Sequence, residues 1–303
     1  MITAKSDQAL PRSFVPPHSA TQISLEQYYS EAGPDYAAWS PAFNMHFGYW
    51  RGSTNPLNRE AMLEQMNREV LARLKLEGRT GAQILDLGCG LGATLRSFAR
   101  CLSDARLVGI TKVPWQVERA RVLNEAAGCA ERVCILEGDY EDSHLRSSSF
   151  DGVYALESSC HARGVDKKLL LKEASRLLKR GGRLVIADGF LAKPSMSKIQ
   201  RRIYRRMCEC WVIDELADLH LFTARLKQVG FNEIIVEHLQ MRVAPSIAHI
   251  PWVTLRFLWT DVVFGKREMT RARWNNVFAP ILLPLVGAPL GPMIYCMITA
   301  TRA

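Results

Sequence analysis

Cysteine pairs with metal-binding spacing are missing from this 303-residue chain, although it contains eight cysteines. There is no C-x-x-C pair, and the two closest cysteines, Cys208 and Cys210, stand apart from other residues of the kind that ligate zinc. This spacing argues against a zinc site. We predict that the protein binds no metal, and that its cysteines are small buried side chains in the reducing cytoplasm.

The first 22 residues lack an apolar run long enough to be a secretory signal sequence. Prolines interrupt the segment, and its two basic residues, Lys5 and Arg12, are too few to favour an organelle transit peptide. We predict a mobile tail over residues 1–22.

Charged residues are absent between Arg273 and Arg302. A membrane-spanning helix would be one explanation. Four prolines would break such a helix repeatedly: Pro280, Pro284, Pro289 and Pro292. We therefore predict an apolar cap followed by a final strand over residues 293–301.

Glycines stand at every second position in the stretch 84–92, which reads Ile-Leu-Asp-Leu-Gly-Cys-Gly-Leu-Gly. The pattern predicts a buried strand that turns sharply into a helix. Glycines without Cβ atoms let main-chain N–H groups approach a ligand, and the helix N-terminus favours anionic or polar groups. The spacing differs from the G-x-G-x-x-G fingerprint of dinucleotide sites, and the next strand ends at Thr111 without an acidic residue for the ribose. NAD is therefore not expected.

Strand and helix patterns alternate from residue 82 to residue 188. Strands are predicted at 82–87, 106–110, 132–136, 150–156 and 182–188, and helices at 91–101, 114–127 and 167–178. An amphipathic helix over 56–76 precedes them, with apolar residues at every fourth position: Met62, Met66, Val70 and Leu74. The alternation predicts a parallel sheet with helices on both faces and a ligand at the carboxyl ends of the strands.

Five motifs in matching order resemble those of class I S-adenosylmethionine-dependent methyltransferases. They are residues 84–92, 109–116, 137–140, 150–157 and 177–184. The resemblance implies an α/β, Rossmann-like fold with a mainly parallel seven-stranded sheet, helices on both faces and helical or aromatic cap elements. It also implies S-adenosyl-L-methionine as the cofactor. We expect an N-terminal helical cap over 23–80, a cofactor-binding core over 81–190, and substrate lid insertions with the last core strands over 191–303.

The same resemblance places the cofactor among nine residues: Asp86, Gly88, Gly90, Gly92, Thr111, Gln116, Asp139, Tyr140 and Glu157. The glycines would line its amino-acid part, and Asp86 would orient the loop or meet the ammonium through water. Thr111 stands where many relatives have an acidic residue that binds the ribose. Asp139 would accept a hydrogen bond from the adenine amino group. A glycine turn that only packs a helix, and an Asx turn at Asp139, are the structural alternatives.

Aromatic residues crowd the segment 23–51. The pair Tyr28-Tyr29 and the run 44–50, which includes Tyr49, resemble the N-terminal cap of the tocopherol and sterol C-methyltransferase group. Aromatic faces can attract the sulfonium of the cofactor and can exclude water. We therefore predict Tyr28 and Tyr49 as catalytic residues, with ordinary core packing as the alternative.

The fourth predicted strand leads into Glu157 and, four residues later, His161. In the sterol and tocopherol group the same place has Glu, small residues and then His, which implies catalytic roles for both side chains. When an alkene carbon accepts a methyl group, a carboxylate can stabilise the resulting cation and a base can remove a proton. A Glu that binds only backbone, or a hydrogen-bonded core histidine, remains the alternative.

Five basic residues share one face of a predicted amphipathic helix: Lys198, Arg201, Arg202, Arg205 and Arg206. This face at 198–206 contributes to a net charge of +9. A solvated surface, a peripheral membrane contact, a homo-oligomer contact and a diphosphate site are all open explanations. Nucleic acid is not expected as a partner, because no recognised binding module accompanies the charge.

Three functions are compatible with these features. The leading hypothesis is methyl transfer to carbon of a lipophilic, isoprenoid or terpenoid acceptor in natural product biosynthesis, through a carbocation that can also cyclise. A second is O- or N-methylation of a prenylated phenol or alkaloid. A third is a non-catalytic partner protein that binds the cofactor, which the intact set of motifs disfavours.

Overall fold

A computed structural model describes residues 23–76, 78–192, 195–287 and 291–303, so the predicted tail 1–22 lies outside the described residues. Within them, seven strands form a continuous sheet in the order β3-β2-β1-β4-β5-β8-β7. The bounds are β1 Gln83–Leu87, β2 Arg106–Thr111, β3 Val133–Glu137, β4 Phe150–Leu156, β5 Leu178–Leu191, β7 Phe231–His238 and β8 Met293–Arg302. A two-residue strand, β6 Ala217–Asp218, pairs with the end of β5.

The sheet is parallel except at β8, which runs antiparallel to both β5 and β7. The expected Rossmann-like α/β fold is therefore confirmed. The last strand, predicted over residues 293–301, is also present and extends one residue further, to Arg302. The short β6 is the one strand beyond the seven that we expected.

Helices cover both faces of the sheet because neighbouring strand residues point to opposite sides. Ile84 joins an apolar cluster with α3 Arg59–Leu74, α4 Ala93–Cys101 and α5 Pro114–Ala126. Leu85 joins the opposite cluster with α6 Lys168–Leu177 and α8 Leu219–Gln228. The carboxyl ends of the parallel strands are thereby held between two packed layers.

The remaining helices form a cap over these strand ends. On the N-terminal side they are α1 Leu25–Ala32, a 3-10 turn Gly33–Asp35 and α2 Tyr36–Trp39. On the C-terminal side they are α7 Lys198–Trp211, α9 Gln240–Ile247, α10 Ile250–Phe257, a π-helix Leu258–Phe264 and α11 Arg271–Val286. α11 packs against both α7 and α1, so the two parts of the cap are joined.

Our expectation that prolines would repeatedly break a helix near the C-terminus is wrong for Pro280 and Pro284, because both lie inside α11. Each proline removes one backbone hydrogen bond. The helix forms nevertheless because its buried residues pack against neighbours; they are Ala272, Asn275, Val277, Ala279 and Val286. No helix in the described part of the chain is long and apolar enough to cross a membrane.

Two smaller expectations about helices also need correction. Pro56 precedes α3, which begins after Asn58, whose side chain accepts a hydrogen bond from the Ala61 N–H. The basic helix is predicted to be amphipathic, yet its apolar residue Ile199 is 73% exposed. The four predicted apolar positions of α3 are all buried.

Candidate active site

The glycine turn joins β1 to α4 and adopts backbone angles that suit glycine. Gly88, Gly90 and Gly92 have φ values of +96°, +52° and +73°, in the left-handed region that L side chains rarely adopt. A Cβ on Gly88 would lie 2.5 Å from the Ser158 Cβ, so a side chain there would collide with the loop after β4. A Cβ on Gly90 would meet only the Met45 sulfur, at 3.3 Å, because its open side faces a cavity.

This cavity lies at the carboxyl ends of β1, β2 and β4. The core contributes Asp86, Gly88, Gly90, Thr111, Gln116, Tyr140 and Glu157 to its wall. The N-terminal cap closes it with Leu25, Tyr29, Phe43, Met45 and His46. Seven of our nine predicted cofactor residues thus line one cavity.

Glu157 lies at the end of β4, where its φ of +50° directs the chain away from the sheet. Its Oε1 accepts hydrogen bonds from the Phe47 N–H at 2.7 Å and from the Tyr295 hydroxyl at 2.8 Å. Desolvation by the surrounding protein raises the pKa of Glu157 to about 8. No Lys or Arg side chain forms an ion pair with this carboxyl among the residues described.

Burial of the Glu157 carboxyl predicts that the free energy of unfolding depends on pH. An unfolded glutamate loses its proton near its ordinary pKa of 4.5, whereas folded Glu157 loses it near 8. The folded protein therefore binds more protons in this range, and its stability falls as pH rises from about 4.5 to 8. Glu157→Gln removes the charge and keeps an oxygen that can accept both hydrogen bonds. We expect it to raise the free energy of unfolding by roughly 1 to 3 kcal/mol at pH 8, and to change it little near pH 5.

Urea unfolding of the ligand-free protein at both pH values measures this effect. Glu118→Gln, an exposed position on α5, is the matched control. Equal free energies of unfolding for Glu157→Gln and wild type at pH 8 would show that the folded protein does not disfavour the ionised form of Glu157.

His161 lies on a 3-10 turn after β4 and also faces the cavity. Its Nδ1 is 3.3 Å from the Val212 carbonyl, and its Nε2 is 3.0 Å from the Tyr29 hydroxyl. Burial lowers the pKa of His161 to about 4, so the ring is neutral at pH 7. Because a carbonyl can only accept, Nδ1 carries the proton and Nε2 accepts from Tyr29. The ring nitrogen facing Tyr29 is therefore able to take up a proton.

Four predicted site residues do not line the cavity. Tyr28 is fully buried, and its hydroxyl donates to Asn276 on α11 at 3.0 Å. Tyr49 packs in the main apolar cluster, with the Arg242 guanidinium 5.6 Å from its ring centre. Gly92 caps α4, and Asp139 pairs with Lys112 at 2.8 Å while accepting from the Glu141 N–H. The direct roles that we assigned to these side chains remain predictions.

The carboxylate of Asp139, which is predicted to contact adenine, therefore already has a partner at each of its oxygens. Its Oδ1 already forms the Asx turn that we considered as an alternative. Lys112, which holds the other oxygen, itself lines the cavity. Thr111 lies in the cavity wall as expected, but its hydroxyl donates to Gln116 Oε1 at 2.6 Å.

Sequence reasoning missed several residues that hold the site in place. Tyr29, the neighbour of Tyr28, is the member of the aromatic pair that reaches the cavity. Tyr295 on β8 bonds to Glu157 from 138 positions away along the chain. Asp188 near the carboxyl end of β5 accepts from the Ser159 hydroxyl and the Cys160 N–H, which fixes the turn that carries His161. Asp188 comes directly after the apolar run 184–187, and that position is the one signal that could have identified it.

Lys167 was also missed, because a single lysine gives no sign of its burial. It is fully buried, and its Nζ donates to the carbonyls of Cys160, Ala162 and Glu215 at 3.1, 2.6 and 2.6 Å. The three hydrogen bonds that the ammonium donates replace those to water that it loses on burial. The lysine thus ties the turn around His161 to the segment before β6.

The cavity fits the cofactor that the sequence resemblance implies. The open side of Gly90 gives a ligand access to the glycine turn, which a side chain would block. Asp86 is buried in the wall, and burial raises its pKa to about 7. Asp86 and the glycine turn would hold the amino-acid part, and Thr111, Gln116 and Tyr140 would surround the nucleoside. No cluster of three or more His, Cys, Asp or Glu side chains suited to a metal occurs in the described ranges.

Comparison with known proteins identifies the family of the chain. A methyltransferase domain family matches residues 84–182. The chain is 31% identical to the O-methyltransferase cnsE of Penicillium expansum, over 76% of this chain and 80% of that protein. It is 30% identical to cycloartenol-C-24-methyltransferase of Arabidopsis thaliana, over 75% of this chain and 64% of that protein.

Two solved structures have the same fold at low sequence identity. The cyclopropane synthase MmaA2 of Mycobacterium tuberculosis superposes with a TM-score of 0.77 at 14% identity, covering 94% of this chain and 100% of that one. Geranyl diphosphate C-methyltransferase of Streptomyces coelicolor A3(2), in complex with Mg²⁺, geranyl diphosphate and S-adenosyl-L-homocysteine, superposes with a TM-score of 0.65 at 15% identity, covering 91% and 98%. With the motifs, the cavity and these relatives together, the chain belongs to the S-adenosylmethionine-dependent methyltransferases.

Proposed function

We propose that this enzyme methylates a carbon atom of a lipophilic, isoprenoid or terpenoid acceptor, with a carbocation held beside Glu157. The observation that carries the proposal is the position of this carboxyl. It faces a cavity whose cap side presents Tyr29 and Phe43, and no basic side chain is paired with it in the described structure. A carboxyl without a cationic partner is suited to a cation that arrives with the reactants.

When bound, S-adenosylmethionine supplies a methyl group on a positively charged sulfur. Glu157 needs a positive charge nearby to be ionised at neutral pH, because desolvation raises its pKa to about 8. A cation within a few ångströms favours the carboxylate and lowers this pKa. The Phe47 N–H and the Tyr295 hydroxyl hold the carboxyl oxygen in place, so the charge is positioned before an acceptor cation develops.

The aromatic wall serves the same chemistry. Tyr29 and Phe43 face the cavity from the cap, and ring faces attract cations while they exclude water that would quench one. His46 connects the N-terminal cap to the core, because its Nε2 lies 3.0 Å from Asn67 Oδ1 on α3. Water exclusion therefore depends on a cap segment that is anchored to the core.

His161 is the group best placed to remove the final proton, because its neutral Nε2 is an acceptor held by Tyr29. We expect His161→Phe, which keeps an aromatic ring but cannot accept a proton, to change the ratio of products more than total turnover. Mass spectrometry and NMR of the product mixture would measure this ratio. A product mixture identical to that of wild type would remove His161 from the proton-transfer step.

Transfer to oxygen or nitrogen of a prenylated phenol or alkaloid is the second candidate, favoured by the relative named as an O-methyltransferase. In that reaction the Tyr29–His161 pair would take the proton of a hydroxyl or amine group. Glu157 would then be less important, because no full carbocation forms.

An acceptor panel tests the proposal. Purified enzyme would be incubated with methyl-labelled cofactor and with sterol, prenyl diphosphate, tocopherol-like and prenyl-indole acceptors, and products would be located by mass spectrometry. We expect label on carbon of an isoprenoid part of the accepted compound. Exclusive labelling of oxygen or nitrogen would replace the leading proposal with the second candidate.

A further inference from the structure

An exposed aromatic stripe follows the outer face of α11. Trp274, Phe278, Ile281 and Leu285 recur at intervals of four, three and four residues, so they lie on one side of the helix. Each of these side chains is between 40% and 50% exposed, and the rings of Trp274 and Phe278 stack with centroids 5.6 Å apart. The opposite side of α11 is buried against α7 and α1.

The neighbouring helices extend this stripe. α10 packs against α11 and continues into the π-helix, and together they expose Trp252, Trp259 and Phe264 by 60% to 66%. We call these three residues and the four of the α11 stripe the apolar cap surface. Large apolar side chains that are exposed on adjoining helices mark an interaction site more often than scattered surface residues do.

Positive charge borders the apolar cap surface. α7 packs against α11, and Arg206 of α7 donates to Oδ1 of the buried Asn275 of α11 at 3.4 Å. On the same face of α7 the exposed residues are Lys198, Arg201, Arg202 and Arg205. The segment 250–287 itself has five basic residues and two acidic ones, and two of the basic residues, Arg267 and Arg273, pair with the buried Asp35 carboxylate. The surface therefore combines exposed aromatic rings with a basic margin.

We propose that the apolar cap surface docks on the surface of a bilayer that contains anionic lipids. Trp and Phe side chains are suited to the boundary between headgroups and acyl chains, and a basic margin complements anionic headgroups. A two-fold contact with a second copy is less favourable, because it would bring the basic faces of two α7 helices towards each other. The proposal is independent of which acceptor atom is methylated.

α11, which carries part of the apolar cap surface, is linked to the cavity through α1. The inner side of α11 holds α1 through the Tyr28 hydroxyl, which donates to Asn276 at 3.0 Å. α1 also carries Leu25 and Tyr29, which line the cavity. Docking through α11 would therefore place the cap of the active site next to the lipid phase, where lipophilic compounds accumulate.

Vesicle binding tests the proposal directly. We expect the wild-type protein to bind vesicles of phosphatidylcholine mixed with phosphatidylserine, and to bind phosphatidylcholine alone more weakly. Acyl chains carrying bromine should quench its tryptophan fluorescence. Replacement of Trp259, Phe264, Trp274 and Phe278 together by Ser should lower vesicle affinity about 30-fold, equivalent to about 2 kcal/mol. Replacement of the exposed residues Val122, Leu169 and Leu221 by Ser is the matched control and should leave the affinity unchanged.

A second variant and its control test the contribution of the basic residues on α7. Arg201→Gln, Arg202→Gln and Arg205→Gln together should lower affinity for anionic vesicles about tenfold and reduce its dependence on salt. The same change at the exposed residues Arg119, Lys172 and Lys227 should have little effect. Retained binding of S-adenosylhomocysteine shows that each variant is folded.

Three results would overturn the proposal. The first is a wild-type protein that does not bind anionic vesicles. The second is an equal loss of binding in the aromatic variant and its control. The third is a dimer, seen by sedimentation, that the aromatic variant abolishes while vesicles have no effect, which would assign the surface to a second copy of the chain.

Discussion

Glu157→Gln is expected to lower turnover of the true acceptor by about 10² to 10⁴, the range for loss of a positioned acid or base. The substitution keeps the size of the side chain and an oxygen for the Phe47 N–H and Tyr295 hydroxyl, but it removes the negative charge. In carbon methylation that charge stabilises the developing carbocation, so its loss raises the barrier of the chemical step. Affinity for S-adenosylhomocysteine, which lacks the sulfonium charge, should change little by comparison.

The stability effect of the same variant separates chemistry from folding. Because the folded protein disfavours the ionised carboxyl, Glu157→Gln should be at least as stable as wild type at pH 8. A variant that is more stable but slower cannot owe its low rate to unfolding. Near-normal turnover with the true acceptor would contradict the carbocation mechanism and favour transfer to a heteroatom. Steady-state kinetics at saturating cofactor, with Glu118→Gln as the control, provide the measurement.

Gly90→Val should abolish cofactor binding. The wild-type enzyme is expected to bind S-adenosylmethionine in the micromolar range, equivalent to roughly 8 kcal/mol. A side chain at residue 90 would project from the glycine turn towards Met45 and into the cavity, where the ligand must approach the main chain. The left-handed φ of +52° adds backbone strain for a β-branched residue. We therefore expect at least a 10³-fold loss of affinity, about 4 kcal/mol.

A matched control separates backbone strain from blocked binding. Gly128 at the end of α5 also has a left-handed φ, of +65°, and a Cβ there would meet no atom within 4 Å. Gly128→Val thus has a similar conformational cost far from the cavity. Calorimetric titration with S-adenosylhomocysteine should show binding by the Gly128 variant and none by the Gly90 variant. Similar affinity in both would mean that the glycine turn does not contact the cofactor.

The strands of the core and the turn after β1 could be predicted because each is determined by a short stretch of sequence. Apolar runs such as 84–87 and 150–156 form strands buried on both faces, and the glycines after β1 force a turn. Glu157 and His161 follow β4 directly, so their place at the strand ends depended only on chain order. These residues therefore reached the cavity as expected.

The cap could not be predicted to the same degree, because its side chains depend on contacts between distant segments. Tyr28 and Tyr29 are adjacent, and successive helix positions differ in direction by about 100°. Only Tyr29 meets the cavity, whereas Tyr28 meets Asn276 on α11. The choice between them depends on how α1 packs against α11, which the aromatic pair alone does not specify.

Tertiary packing also explains three further features that local sequence patterns did not indicate. Pro280 and Pro284 argue locally against a helix, and contacts of α11 with α7 and α1 outweigh that preference. Tyr295 reaches Glu157 because β8 inserts between β5 and β7, a topology that depends on the whole sheet. Tyr49 has the residue type of an aromatic cap but packs in the core instead.

The most direct test of carbon methylation is the position of a transferred label. The enzyme, its accepted substrate and S-adenosylmethionine carrying ¹³C in the methyl group would react to completion, and the product would be examined by carbon NMR with proton correlation. The account predicts a new methyl resonance correlated to carbons of the isoprenoid skeleton, and its near disappearance with Glu157→Gln. A resonance in the O-methyl or N-methyl region, formed at the same rate by wild type and Glu157→Gln, would contradict it.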